Sequence, residues 1–463
     1  MVFSSFIFLW FFLPLIFIAG MIIKAPGRQN ILLLLGSLLF YAWGEPVYIL
    51  LLLASILLNY LFGLGIGSAE KQNVKKLLLT AALVINLGSL ACFKYLGLLS
   101  ASLAALLPSA GIPVIELPLP VGISFFTFQA MAYIIDLYRG KYPPQKDPLK
   151  LALYISFFPQ LIAGPIVRYI DIEKQLTDRK ISLDGVSYGI RRFIYGLAKK
   201  VLIANTLADA VDRLLSHGPS AIGTAGCWFC AIAYTLQIYY DFSGYSDMAI
   251  GLGRIFGFEF RENFDLPYIS RSISEFWRRW HISLGEWFRE YLYIPLGGNR
   301  RGKARSFINL FIVFALTGFW HGASWRFMAW GIYHGAFRII EKAGFEDFLK
   351  KHPVFSHIYT IIIFTIGWVI FRANSLGLAL EQIKQMFIPT ASQISPGIYT
   401  GNYKLIALAA GVFFCGPAQK LLGKQAQKSK DGFAELACCA VLAGLCILCL
   451  GGESYNPFIY FRF

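Results

Sequence analysis

Three of the six histidines, His281, His321 and His334, lie among aromatic residues, in the strings "FWRRWHISLGEW", "LTGFWHGASW" and "WGIYHGAF". An imidazole buried in apolar surroundings has its cationic form disfavoured and stays an unprotonated base at neutral pH. Such a base suits removal of a proton from a hydroxyl. His321 has no carboxylate within several residues on either side, which leaves its chemistry to be set by burial and fold. The remaining histidines, His217, His352 and His357, sit in polar, loop-like stretches and are expected to be solvated.

The elements that must position these residues are membrane elements. Only 15% of the 463 residues are charged, against 57% hydrophobic and 16% aromatic. Soluble domains carry about 25% charged residues, so this chain cannot cover a water-facing surface. Apolar runs at 3–23, 47–66, 77–99, 117–138, 356–371 and 433–450 approach or exceed the roughly 20 residues that cross a bilayer as a helix. An all-α polytopic membrane protein is predicted, as one continuous domain. The first run lacks a basic leader region and a small-residue cleavage site, so it is expected to be retained as a helix.

The net charge of +16 could suggest nucleic acid, but its placement points elsewhere. Lys24 and Arg28 follow the first run, Glu45-Pro46 marks the next turn, and Lys71, Lys75 and Lys76 follow the third span, at 47–66. The 108–118 loop has neither Lys nor Arg, and Arg139, Lys141 and Lys146 come after the next run. Basic and non-basic loops alternate, the pattern of a chain whose basic loops face the cytoplasm. This predicts an N-terminus outside and no nucleic-acid partner.

Two segments depart from simple spans. "LALYISFFPQLIAGPIV" (151–167) is short and broken by Pro159, Gly164 and Pro165; a re-entrant hairpin is expected, since broken backbone at membrane depth must be surrounded by protein or water. The stretch 259–303 interleaves aromatics with Arg and Lys. Phe276, Trp280, Leu284, Trp287, Phe288 and Tyr291 recur every three or four residues, which predicts one amphipathic helix lying in the membrane interface, capped by Ser274 and ended by "PLGGNRRGK". Cys227/Cys230 and Cys446/Cys449 have CxxC spacing. They sit in apolar helical runs where four thiolates and a zinc ion would bury negative charge, so no metal is expected.

Neither a metalloprotease HExxH nor a complete P-loop occurs. "HISLGE" (281–286) offers a His-x4-acid spacing with Glu286 where Asp is usual. The more extensive match is to a family. "PLPVGISFFTFQAMAYIIDLYRG" (118–140), "FFPQLIAGPIVRY" (157–169), "YYDFSGYSDMAIGLGRIFGFEFRENFDLPY" (239–268), "FWRRWHISLGEWFREYLYIPLGGNR" (276–300), "TGFWHGASWRFMAWGIYHG" (317–335) and "YNPFIYFRF" (455–463) together resemble the membrane-bound O-acyltransferase (MBOAT) family. The likeness is to its bacterial polysaccharide branch, which includes alginate- and peptidoglycan-acetylating membrane proteins.

The resemblance implies a helical bundle of about 10–12 spanning helices, with re-entrant and interfacial helices and a central tunnel. Residues 1–118 would be N-terminal spans, 119–341 the catalytic core and 342–463 C-terminal spans. It places His321 on the family's catalytic histidine and His281 on its second position. Trp277, Arg278, Arg279, Asp241, Trp320 and His334 become candidates for substrate contact, and Arg300 and Arg301 for donor phosphates. The implied activity is acetyl transfer from a cytoplasmic thioester, acetyl-coenzyme A or an acyl carrier, with no bound cofactor. The acceptor would be an extracytoplasmic polysaccharide of the alginate, cellulose or peptidoglycan type. The resemblance further implies the bacterial inner membrane as location and an SGNH-hydrolase-like extracytoplasmic partner. D-alanyl transfer to teichoic acid, and non-catalytic transport of polysaccharide or lipid, are the alternatives.

Overall fold

The computed structural model describes residues 1–394, 397, 401–419 and 433–452; the closing string at 455–463 lies outside them. The described residues form helices and no strand. After a π-helical turn at Phe8–Phe12 come α1 (Leu13–Ile22), α2 (Pro26–Gly44), α3 (Ile49–Ser68), α4 (Gln72–Leu106), α5 (Ile123–Tyr138), α6 (Pro148–Ser156), α7 (Phe158–Leu161), α8 (Tyr169–Thr177), α9 (Leu183–Ala198), α10 (Thr206–Leu215) and α11 (Pro219–Ile255). There follow α12 (Ile273–Arg279), α13 (Ile282–Phe288), α14 (Gly302–His321), α15 (Trp325–Ile340), α16 (Glu346–Lys351), α17 (Pro353–Arg372), α18 (Leu376–Phe387), α19 (Asn402–Phe414) and α20 (Phe433–Gly452). Six of these, α3, α4, α11, α14, α17 and α20, are long and apolar enough to cross a membrane, and three shorter apolar helices occur at Phe8–Ile22, Ile123–Tyr138 and Asn402–Phe414. The chain is a multi-pass membrane protein.

Two compact units emerge from the packing: Met1–Phe193 with Met248–Arg261, and Ile194–Asp247 with the chain from Glu262 onward. In the first unit, α5 is buried on nearly all sides, so this apolar helix is core rather than lipid-facing wall. Asn59 of α3 and Asn86 of α4 exchange reciprocal side-chain hydrogen bonds at 3.1 and 2.9 Å, the kind of polar link that ties helices together in lipid. The 151–167 segment breaks at Phe157 into α6 and α7. Neither piece is long enough to cross a bilayer, and residues 153–167 are buried in protein.

The second unit holds the aromatic histidines. Here the structure corrects the expected interfacial helix. The periodic run is two short helices, α12 and α13, separated by a break at Trp280–His281, where His281 takes a left-handed backbone (φ 45°, ψ 54°). The apolar face does not meet lipid: Phe276, Trp280, Leu284, Trp287, Phe288 and Tyr291 are all buried in protein. The same periodicity that would seat a helix in headgroups here seats two helices in an aromatic core.

The cap differs as well. The Ser272 side chain, not that of Ser274, accepts from the Glu275 N–H at 3.0 Å, and Glu275 in turn accepts from the Arg271 N–H at 2.9 Å. Ser274 instead donates its N–H and hydroxyl to the buried carboxylate of Glu341, which also accepts from the Ile273 N–H. Glu341 thus satisfies the first amides of α12, which would otherwise be buried without a partner.

Candidate active site

His321 is the last residue of α14, and its position follows from how closely α14 and α15 approach. A Cβ on Gly318 would lie 2.3 Å from the Phe327 carbonyl oxygen, and a Cβ on Gly331 would lie 2.3 Å from that of Phe314. Only hydrogen fits at either place. A Cβ on Gly322 would come within 2.2 Å of the Phe327 ring, so the glycine after His321 is required for space. The result is a box of rings around a 4%-exposed imidazole. Trp320 and Trp330 have ring centroids 5.0 Å from that of His321, and Phe371 of α17 lies at 5.2 Å, all near edge-on.

His281 is the second buried imidazole. Its ring meets Phe242 of α11 edge-on at 4.7 Å and lies 6.3 Å from Trp320. Trp320 therefore neighbours both histidines. Nδ1 of His281 is 3.1 Å from Oδ1 of Asn263. Burial pushes the His281 pKa down, to about 3, so the ring is neutral at any physiological pH.

His334 of α15 is fully buried among Trp277, Trp330 and Tyr333, at 5.1, 5.2 and 5.2 Å between ring centroids. Neither ring nitrogen has a hydrogen-bond partner among the described residues. Gly367 of α17 makes room for it, since a Cβ there would sit 2.4 Å from Nε2.

The other expected site residues divide. Trp277 and Trp320 join the aromatic cluster. Asp241 is buried against Lys200 at 2.7 Å, beside a second pair, Lys199–Asp247, also at 2.7 Å. The lysines are adjacent on a π-helical turn, Lys199–Asn205, which continues α9. Arg279 is held by Glu275 at 2.8 Å and by Asp265 at 3.0 Å. Burial works against the charge of Glu275, but the Arg271 N–H and the Arg279 guanidinium hold its carboxyl below the ordinary value. Arg278 is exposed. Arg300 lines a pocket of about 220 Å³ with Arg289, Tyr293, Gly297, Gly298 and Asn299.

Asn263, Lys200 and Glu341 carried no spacing signal in the sequence. Gly185-Val186-Ser187-Tyr188-Gly189 has GxSxG spacing, but it lies within α9 with Ser187 exposed. An esterase nucleophile needs the strained strand-to-helix turn of an α/β sheet, so this serine is not one.

The MBOAT, membrane-bound O-acyltransferase family, profile matches residues 145–372. A probable alginate O-acetylase AlgI of Pseudomonas putida is 40% identical over the full length of both chains. A peptidoglycan O-acetyltransferase of Helicobacter pylori is 35% identical over 83% of this chain and 80% of its own. A teichoic acid D-alanyltransferase of Bacillus subtilis is 29% identical over 56% of this chain and 70% of its own. With 40% identity over its full length to a probable alginate O-acetylase and the family profile matched across its centre, the chain belongs to the membrane-bound O-acyltransferase family.

Proposed function

We propose that this enzyme moves acetyl groups from a cytoplasmic thioester, acetyl-coenzyme A or an acyl carrier, toward O-acetylation of an extracytoplasmic polysaccharide. The observation that carries the reading is the ring-enclosed imidazole of His321, in a chain similar along its whole length to an alginate O-acetylase.

The chemistry follows from that imidazole. The neutral ring takes the proton of an acceptor hydroxyl as the oxygen attacks the thioester carbonyl carbon. The carbon–sulfur bond then breaks, and the imidazolium returns its proton to the departing thiolate. A placed base contributes about 10²–10⁴-fold, and aligning donor and acceptor contributes further. His281 assists, either by orienting a reactant or by stabilising the oxyanion. Trp277, Trp320 and His334 shape the walls, and Arg278, Arg279, Arg300 and Arg301 meet the donor's phosphates. A tunnel reaching His321 from both faces belongs to this proposal. So do an N-terminus outside the bacterial inner membrane and an SGNH-hydrolase-like partner that completes transfer to the sugar.

D-alanyl transfer is the second reading, favoured by the partial similarity to a teichoic acid D-alanyltransferase. Membranes containing the enzyme, supplied in parallel with labelled acetyl-coenzyme A and labelled D-alanyl carrier protein, separate the two. Label entering polysaccharide from the acetyl donor supports the proposal; label entering only from the D-alanyl donor overturns it.

A further inference from the structure

Asn263 grips the left-handed turn that carries His281 at four points. Its backbone carbonyl accepts from the Ile282 N–H at 3.0 Å. Its side-chain oxygen accepts from the Ser283 N–H at 3.2 Å and the Ser283 hydroxyl at 2.9 Å, and lies 3.1 Å from His281 Nδ1. Its side-chain nitrogen donates to the Ser246 hydroxyl of α11 at 3.2 Å. Asn263 and Ser246 are both buried. A non-glycine residue at positive φ is strained and persists only where its surroundings over-determine it; these contacts supply that constraint.

The bonding also fixes a proton. A backbone N–H can only donate, so the Asn263 atom facing Ser283 N is the oxygen, and the amide nitrogen faces Ser246. A carboxamide oxygen can only accept. The His281 nitrogen 3.1 Å from it must therefore carry the hydrogen. In a neutral imidazole that leaves the lone pair on Nε2.

We propose that Asn263 is a positioning residue that locks His281 as the Nδ1–H tautomer, so that Nε2 accepts a hydrogen bond from an N–H or O–H of a reactant. This rests on the acyl-transfer reading and decides between the two roles left to His281. A neutral ring whose only hydrogen is turned toward Asn263 orients a donor or acceptor group and does not stabilise an oxyanion. Among the groups that meet the ring are Phe242 of α11, Trp320 of α14 and the Asn263 side-chain oxygen. Asp241, next to Phe242, is the adjoining charge on α11 and is paired with Lys200.

The test is ring-¹⁵N NMR of the full-length enzyme in lipid nanodiscs, with the His281 signals assigned by their loss in His281→Gln. The proposal expects a neutral ring protonated at Nδ1. A ring protonated at Nε2 overturns it, whatever the activity does. Asn263→Asp adds a second readout. A carboxylate facing Nδ1–H favours the imidazolium, so the neutral form is lost at higher pH and the acid limb of the acetyl-transfer profile moves up in pH. An unmoved limb in a folded Asn263→Asp enzyme overturns the proposal, since a merely structural role would lower activity without moving it. Asn263→Ala should cost about 10- to 100-fold in kcat, as when an outer partner orienting a histidine is lost. Full activity in His281→Gln would remove His281 from the chemistry while leaving the tautomer measurement intact, so the two failures are distinguishable.

Discussion

Gly318 of α14 and Gly331 of α15 touch backbone to backbone: a Cβ on either would lie 3.1 Å from the other's Cα. That close approach brings the end of α14 against α15, where the His321 and Trp330 ring centroids lie 5.0 Å apart. Substituting Ala at either glycine forces the helices apart, at about 1–3 kcal/mol for an overpacked core. Gly331→Ala is expected to lower the melting temperature in detergent and to reduce acetyl transfer beyond the loss of folded protein. Wild-type transfer in that variant would show that the spacing is not what places the base.

The Lys200–Asp241 pair makes a different demand. Both side chains are almost fully buried, at 3% and 2% exposure. Removing one partner of a buried pair costs about 3–5 kcal/mol, whereas replacing both with apolar residues is often neutral. Lys200→Met is expected to fold poorly, and Lys200→Met with Asp241→Leu to recover much of the lost stability. Thermal unfolding of the two single variants and the double closes the cycle. Additive losses would mean that the two charges do not depend on each other.

His334 is predicted to be a packing residue. With no hydrogen-bond partner for either nitrogen among the described residues, His334→Phe should cost less than about 1.5 kcal/mol, as for other near-isosteric core exchanges, and retain transfer activity. Gly367→Ala should be harmful in the wild-type background and relieved by His334→Ala, because its Cβ would strike the imidazole. Loss of transfer in a stable His334→Phe enzyme would instead give this ring a chemical role.

How much of this was legible in the sequence differs by residue. The apolar runs dictate helices in a membrane, and α3, α4 and α17 lie where those runs fall. His321 stood out as a candidate because an ionisable group in an apolar run is a functional hypothesis by default, and it is buried among rings. The break at His281 was not. The apolar periodicity continues unbroken through Trp280, Leu284 and Trp287, and positive φ is uncommon for a residue with a side chain, so the local pattern favoured one helix. Periodicity also cannot say what covers an apolar face: lipid and protein select the same residues. Asn263 was invisible because its value lies in contacts with Ser246, His281 and Ser283 that only the folded chain creates. Gly318 and Gly331 lie thirteen residues apart in sequence, and their pairing is a property of two helices rather than of either string.

The account rests on the imidazole of His321 as the base. The most direct measurement is the initial rate of acetyl transfer from a labelled thioester donor by purified enzyme in proteoliposomes, wild type against His321→Ala, at matched protein level and melting temperature. A fall of about 10²–10⁴-fold in the variant is the predicted result. A rate within a few-fold of wild type would contradict it.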